Sequence, residues 1–409
     1  MEREAARRQL LEIYASTLRA VAGDVLVKRY LSTEPHAGPA YVIAIGKAAA
    51  AMADGAQQVL GARLQRGLLI TKHGHMKQPF DAHWHCIEAG HPLLDAESLR
   101  AGQALLDFLH GAPKACHLLF LISGGASSLV EVLPAGVSHE QLQRVNQWLL
   151  ASGLAIDAMN RVRKGLSAIK AGRLANHLGG RRVTQLLLSD VPGSDPRVIG
   201  SGLLLQHASD DLTSEHLPLP AWIKALLKQV PPLPVPERFS TITTHLLADN
   251  RSARLAAQQA AERRGFSVVL HDGDFQGEAA QLGEEFAHTI LDSKSVLHIW
   301  GGEATVKLPP QTGRGGRCQQ LALAAAIGLA GSDGLLLAAA TDGGDGPGED
   351  AGALVDGETV ARGEQEGLSV LQALQGADAG RFLEASGDLI QTGPTGSNVI
   401  DLVLGWGLG

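Results

Sequence analysis

Cysteine is scarce in this chain. Cys86, Cys116 and Cys318 lie far apart, are odd in number and form no Cys-x-x-Cys, so neither a disulfide framework nor a thiolate zinc site is expected, and a reduced, cytoplasmic setting fits. Runs of basic residues are lacking too: 35 Lys and Arg stand against 42 Asp and Glu, a net charge of -7, so nucleic acid is not an expected partner. No window reaches the roughly 20 uninterrupted apolar residues of a spanning helix. The opening "MEREAARRQLLEIYASTLRAVAG" reads as a charged amphipathic helix without the apolar core of a signal peptide, so a membrane partner is not expected either. No repeat with a period of about 20–50 residues is visible, which excludes solenoids and propellers.

Spacing excludes several familiar sites. A Walker loop needs Gly five positions before Gly46-Lys47, where Tyr41 stands, and no Ser or Thr follows Lys47. The dinucleotide fingerprint is missing: "IGKAAAAM" lacks it, and "GRGGRC" ends in Cys318 with no strand just ahead. An EF-hand starting at Asp342 would place Gly344 and Gly346 where side-chain oxygens are required. "SGGAS" is not the Gly-x-Ser-x-Gly of an acyl-transfer elbow. His73, His75, His83, His85 and His91 have no defined metal-ligand spacing and read as ordinary surface and strand-edge histidines.

What is present is glycine, 49 residues of it in clusters, where backbone N–H groups can be turned toward a ligand. A chain of 409 residues is longer than one core usually supports. Two domains are expected, with a ligand site between them. Short apolar runs alternate with helical patterns across glycine turns, as in "YVIAIGKAAAAMADGAQQVL", "HLLFLISGGASS", "TQLLLSDVPGSD", "VLHIWGGEATV" and "GLLLAAATDGGDG"; the expected class is α/β with covered sheets. Ser138 and Gln141 stand at capping-box spacing, and "DAMNRVRKGLSAIKAGRLANHLGG" reads as a helix closed by a glycine pair. Proline density in "LPLPAWIKALLKQVPPLPVPERF" suggests a linker, giving domains 1–232 and 233–409.

Ligands of open α/β sheets sit beyond the carboxyl ends of the strands, which makes the residues after each apolar run the candidates. Lys47 follows "VIAIG" at a helix start and suits an anion, or is a solvated lysine there. Ser123, Gly124, Gly125, Ser127 and Ser128 form a glycine and hydroxyl loop, either a nest for phosphate oxygens or a tight turn. Further strand-end candidates are Ser189 and Asp190, Asp249 and Asn250, Gly301, Gly302 and Glu303, and Thr341, Asp342 and Asp345. Of the two arginines in "TGRGGRCQQ", Arg317 is favoured over Arg314 because it lies closest to the helix start, where its charge and the helix N–H groups could meet one anion. Glu349 and Asp350 lie further from their strand and read as wet surface.

"LISGGASSLVEVLPAGVSHEQ", "NRVRKGLSAIKAGRLA", "LLLSDVPGSDPRVIGSG", "TGRGGRCQQLALA", "ATDGGDGPGEDAGALVD" and "TGPTGSNVIDL", in this order, resemble the glycerate 2-kinase family whose C-terminal module is called MOFRL. The resemblance implies ATP- and Mg²⁺-dependent phosphorylation of D-glycerate at its 2-hydroxyl. It also implies a Rossmann-like N-terminal domain and a smaller α/β C-terminal domain with a cleft between. The family's functional lysine falls on Lys47 and its arginine on Arg317. On that basis the Ser123–Ser128 loop would cradle the ATP phosphates, with Gly302 and Glu303 as further candidate cofactor contacts. Lys47 and Arg317 would bridge the glycerate carboxylate and the moving phosphoryl group, and Mg²⁺ would be held among Asp190, Asp342 and Asp345. Asp190 is alternatively the base that takes the hydroxyl proton. The partner is then a small molecule, with a homodimer one assembly open to it. Two departures from the family pattern stand out: Cys318, Gln319 and Gln320 replace Asn-Gln-Glu, and Ser201, Gly202, Leu203 and Leu204 replace Ser-Gly-Pro-Thr. An NAD(P)-dependent hydroxypyruvate reductase and a non-catalytic anion or sugar-phosphate binder are the rival readings.

Overall fold

The structure is a computed structural model that describes residues 3–34, 38–76, 79–207, 216–231, 234 and 239–408. The chain forms two compact units, one of Leu26–Ser189 with Ser194–Leu247, the other of Met1–Val25, Asp190–Gly193 and Ala248–Gly409.

The first unit carries β1 (Ala40–Ile45), β2 (Leu64–Lys72), β3 (Trp84–Ala89), β4 (His117–Ile122), β5 (Arg182–Leu188) and β6 (Ile242–Ala248). They form one sheet in the order β3-β2-β1-β4-β5-β6. The β1–β2, β1–β4, β2–β3 and β4–β5 pairs are parallel. The near-continuous burial of β1 and β4 explains their unbroken apolar sequence, since both faces of a parallel sheet are covered. Ser138 and Gln141 form the expected reciprocal cap on the His139–Ala151 helix, with bonds of 3.2 and 2.8 Å.

Two expectations for this unit change. The helix beginning at Ile156 ends at Gly165 instead of running to the glycine pair. Beyond it the Ser167 hydroxyl takes over the backbone amides of Ile169 and Lys170, and buried Arg173 collects the carbonyls of Lys164 and Ser167. The proline-rich segment contains the Ala221–Gln229 helix, whose Ile223 and Leu226 are buried in a cluster with Leu142, Val145, Val162 and Leu166. It therefore packs into this unit, while the expected boundary at 232/233 lies outside the described residues.

The second unit is built on a mixed sheet of β7 (Ser267–Leu270), β8 (Phe275–Glu278), β9 (Val296–Thr305), β10 (Gly334–Ala340), β11 (Gly352–Asp356), β12 (Leu389–Ile390) and β13 (Asp401–Gly407). The order is β12-β11-β10-β13-β9-β7, with β8 also paired to β9. β10 is buried along its whole length, and its side chains separate by the two-residue period of a strand. Leu335, Leu337 and Ala339 join the core on one face, and Leu336, Ala338 and Ala340 the core on the other.

The Arg3–Ala20 helix belongs here, although the linear reading placed residues 1–232 together. Its Leu10, Ile13 and Tyr14 enter the first of those cores, and the Tyr14 hydroxyl donates to the Ala340 carbonyl at 2.7 Å. Arg7 binds the buried carboxylates of Asp356 and Asp388 at 2.5 and 2.8 Å. Apolar periodicity identifies such a helix but says nothing of which sheet it covers.

Candidate active site

In the first unit, β1 and β4 are neighbours, with β2 and β3 to one side and β5 and β6 to the other. The strand order reverses between them, and open α/β sheets bind ligands at such a point. The loops leaving these two strands are tied together. The Lys47 amide donates to the Gly124 carbonyl at 2.9 Å, and the Ala48 amide to the Ser123 Oγ at 3.0 Å. This close approach requires glycine at 46: its φ is +134°, and a Cβ there would lie 2.2 Å from the Ser123 Oγ. Lys47 is half-buried two residues ahead of the Ala49–Leu60 helix. A Cβ on Gly125 would meet the Lys47 Cγ and the His91 Cδ2, each at 3.1 Å, so those two side chains flank the glycine.

The predicted hydroxyl loop therefore divides. Ser123 is fully buried and its Oγ ties the two loops together, and Gly124 contributes its carbonyl to the same tie. Ser127 and Ser128 are half-buried. The Ser128 Oγ donates to the Gly125 carbonyl at 3.3 Å, and the Ser127 Oγ lies 2.7 Å from the Ser201 Oγ. Ser201, not among the expected site residues, is held at φ +60°. Its carbonyl accepts the Ala171 amide at 3.0 Å, which brings the "AIKAGRLA" and "IGSG" motifs together.

In the second unit, Arg317 is the first residue of the Arg317–Leu329 helix, as expected. Its Nε and Nη2 donate to Asp401 at 2.5 and 2.9 Å, and its Nη1 lies 3.0 Å from a Glu303 oxygen. Burial works against the guanidinium charge, but Asp401, helped by Glu303, more than offsets it and raises the group above its ordinary value. Arg314 is engaged elsewhere, at 2.9 Å from Asp350 and 2.7 Å from Glu384. Asp350 is thus buried structure rather than wet surface, and it also accepts from Gln391.

Asp345, one of the expected metal ligands, serves as a helix cap. Its two oxygens accept the Cys318 and Gln319 amides at 3.0 and 2.8 Å, satisfying donors of the helix that Gly316 cannot. Burial first, and the charge of Asp401 second, push its carboxyl up to about 7. Asp342 and Asp190 are only half-buried. Asp342 accepts the Gly344 amide at 3.0 Å, and Asp190 accepts from the Asn398 side chain at 3.1 Å. The 395–400 segment joins these residues: the Thr395 amide donates to the Asp342 carbonyl and the Val399 amide to the Thr341 Oγ1. Among the described residues, no three of His, Cys, Asp and Glu converge on one metal position.

Gly302 and Glu303 lie inside β9 rather than in a loop after it. Gly302 is where β8 passes, with the Phe275 carbonyl oxygen 2.2 Å from any added Cβ. Asp249 caps the Asn250–Glu262 helix, and Asn250 donates to the carbonyls of Val399 and Asp401 at 3.0 and 2.9 Å. Asp401 and Asn398 were missed as individuals, though both lie in the quoted "TGPTGSNVIDL" motif; position 401 opens an apolar strand, where an acid is unusual.

Two family descriptions match the chain: Domain of unknown function (DUF4147) over residues 9–216, and MOFRL family over residues 296–401. The D-glycerate 2-kinase of Thermotoga maritima is 35% identical, with 98% of each chain covered. A putative hydroxypyruvate reductase of Agrobacterium vitis is 34% identical over 89% of this chain and 98% of its own. A crystal structure of glycerate kinase from Thermotoga maritima superposes with a TM-score of 0.85 at 34% identity, covering 99% of this chain and 100% of that one.

Proposed function

Because this chain belongs to the glycerate kinase family, we propose that it transfers the γ-phosphoryl group of ATP to the 2-hydroxyl of D-glycerate, giving 2-phosphoglycerate and ADP. The observation that carries this reading is the identity to a D-glycerate 2-kinase over 98% of both chains. The side chains suit it. Phosphoryl transfer asks a protein mainly to position reactants and neutralise oxygen charge. Lys47 supplies a cation beside the loops after β1 and β4, and Ser127, Ser128 and Gly125 supply hydroxyl and amide donors for phosphate oxygens. Arg317 supplies a fixed positive charge and, at Nη1, a donor not bonded to Asp401 for a carboxylate or phosphoryl oxygen. The β3-β2-β1-β4-β5-β6 order supports a Rossmann-like description of the first unit.

Mg²⁺ takes one or two carboxylates and keeps several waters. Asp190 and Asp342 fit that requirement, being half-buried acids, whereas Asp345 has both oxygens on helix amides. Asp190 and Asp342 would hold the ion, whose chemistry is to offset the negative charge of phosphate oxygens. Asp190 is alternatively the acceptor of the hydroxyl proton, its carboxylate oriented by Asn398.

Incubation with ATP, Mg²⁺ and D-glycerate followed by phosphorus NMR tests the reading. It predicts the 2-phosphate; a 3-phosphate product, or no turnover, overturns it. The name of the Agrobacterium relative favours a second reading, hydroxypyruvate reduction. That activity would consume NADH or NADPH with hydroxypyruvate, for which the chain has no dinucleotide fingerprint.

A further inference from the structure

Arg317 is held by two carboxylates of opposite character. Asp401 is 2% exposed and engages two nitrogens, Nε and Nη2, one with each oxygen, in a bidentate pair. It stands at the start of β13, where Asn250 also holds its backbone carbonyl at 2.9 Å. The Glu303 side chain is 40% exposed and meets the remaining nitrogen, Nη1, through one oxygen at 3.0 Å. The antiparallel register, which pairs Asp401 with Gly302, brings both acids to the same guanidinium. Separating the first pair would strand a buried charge, whereas the second pair is reached by water and is replaced at small cost.

We propose that Arg317 has a fixed edge and an exchangeable edge. Asp401 is its positioning residue, and Glu303 is a resident carboxylate that occupies Nη1 until an anionic oxygen group of a substrate displaces it. The incoming group takes a place already shaped for a carboxylate, so a glycerate carboxylate and a phosphoryl oxygen are the two sources of that chemistry. The inference rests on the role given to Arg317 above, and it adds a prediction that role does not make: removing a negative residue close to the site tightens an anion.

The test uses the full chain in four variants, Glu303→Gln, Asp401→Asn, Arg317→Ala and Arg317→Ala with Asp401→Asn. Steady-state kcat and KM are measured for ATP and D-glycerate, together with the inhibition constant of inorganic phosphate. Glu303→Gln is expected to lower the KM for D-glycerate or the inhibition constant of phosphate by about two- to fivefold, the effect of releasing one exposed ion pair. A fall in the first identifies the carboxylate as the displacing group, and a fall in the second the phosphoryl. Both values unchanged or raised overturns the exchange. Asp401→Asn should lower kcat about tenfold or more with Arg317 present, and less than about twofold with Arg317 absent, as expected of residues acting as one unit. An equal loss in both backgrounds gives Asp401 a structural part only and overturns its positioning role. Near-normal kcat in Arg317→Ala alone would instead sink the functional reading on which the inference stands. Should Asp401→Asn fail to fold, the exposed Glu303→Gln variant decides the matter.

Discussion

Replacing Arg317 by alanine should damage stability and turnover together, by amounts that can be measured apart. The substitution leaves Asp401 at 2% exposure without the two bonds that compensate its burial. Removing one partner of a fully buried pair costs about 3–5 kcal/mol. Here the arginine side chain is 33% exposed, so water reaches the space it vacates and about 2–3 kcal/mol is the better figure. Turnover should fall further than stability accounts for. Loss of one preorganised donor to a charged transition state costs about 2.7–4 kcal/mol, or at least a factor of about a hundred in kcat. Urea unfolding near neutral pH gives the first quantity. A coupled assay for ADP, run where the variant is fully folded, gives the second. Adding Asp401→Asn to the same chain should recover much of the stability and none of the turnover. A variant as stable as its parent would refute the account of the Asp401 pair, and a fall in kcat smaller than about tenfold would refute the assignment of Arg317.

Lys47→Ala should lower kcat by about a hundredfold or more without the stability loss of the arginine variant, because this side chain is half-buried at a loop; near-normal turnover in the purified variant would remove Lys47 from the mechanism. Asp345, with a folded carboxyl raised to about 7, makes a contribution to stability that is fully present below the unfolded value and lost as pH rises through about 7. Urea midpoints should therefore fall between about pH 5 and about pH 8, more in the parent than in Asp345→Asn, and equal slopes in the two proteins would contradict the assignment. Gly46→Ala would put a methyl group 2.2 Å from the Ser123 Oγ at φ +134°, and should cost about 2 kcal/mol or more in the first unit; a fully stable variant would show that the tie between the β1 and β4 loops gives way easily.

Much of the fold was legible because strands and helices announce themselves locally. The unbroken runs "VIAI" and "LLFLI" became β1 and β4, Ser138 and Gln141 became a reciprocal cap, and Arg317 opened the helix expected of it. The separate candidates Lys47 and Ser123–Ser128 proved to be neighbours, since adjacent parallel strands release their loops at the same end of the sheet.

Other features could not be read from the chain alone because they depend on what lies beside a residue in space. Periodicity marked the first helix but not the sheet it covers, where Leu10, Ile13 and Tyr14 enter the core and Arg7 reaches Asp356 and Asp388. Spacing offered Asp342 and Asp345 as equivalent acids, while packing put one in its own turn and the other on the amides of a distant helix. Proline density suggested a linker where Ile223 and Leu226 instead found a core. Composition, strand pattern and ordered motifs thus determined the α/β class and the family of this protein by themselves, for each depends on residues close together in the chain. Tertiary structure alone decided that Asp401 and Glu303 share Arg317, because a guanidinium's partners are chosen by burial and register across strands that the sequence keeps almost a hundred residues apart.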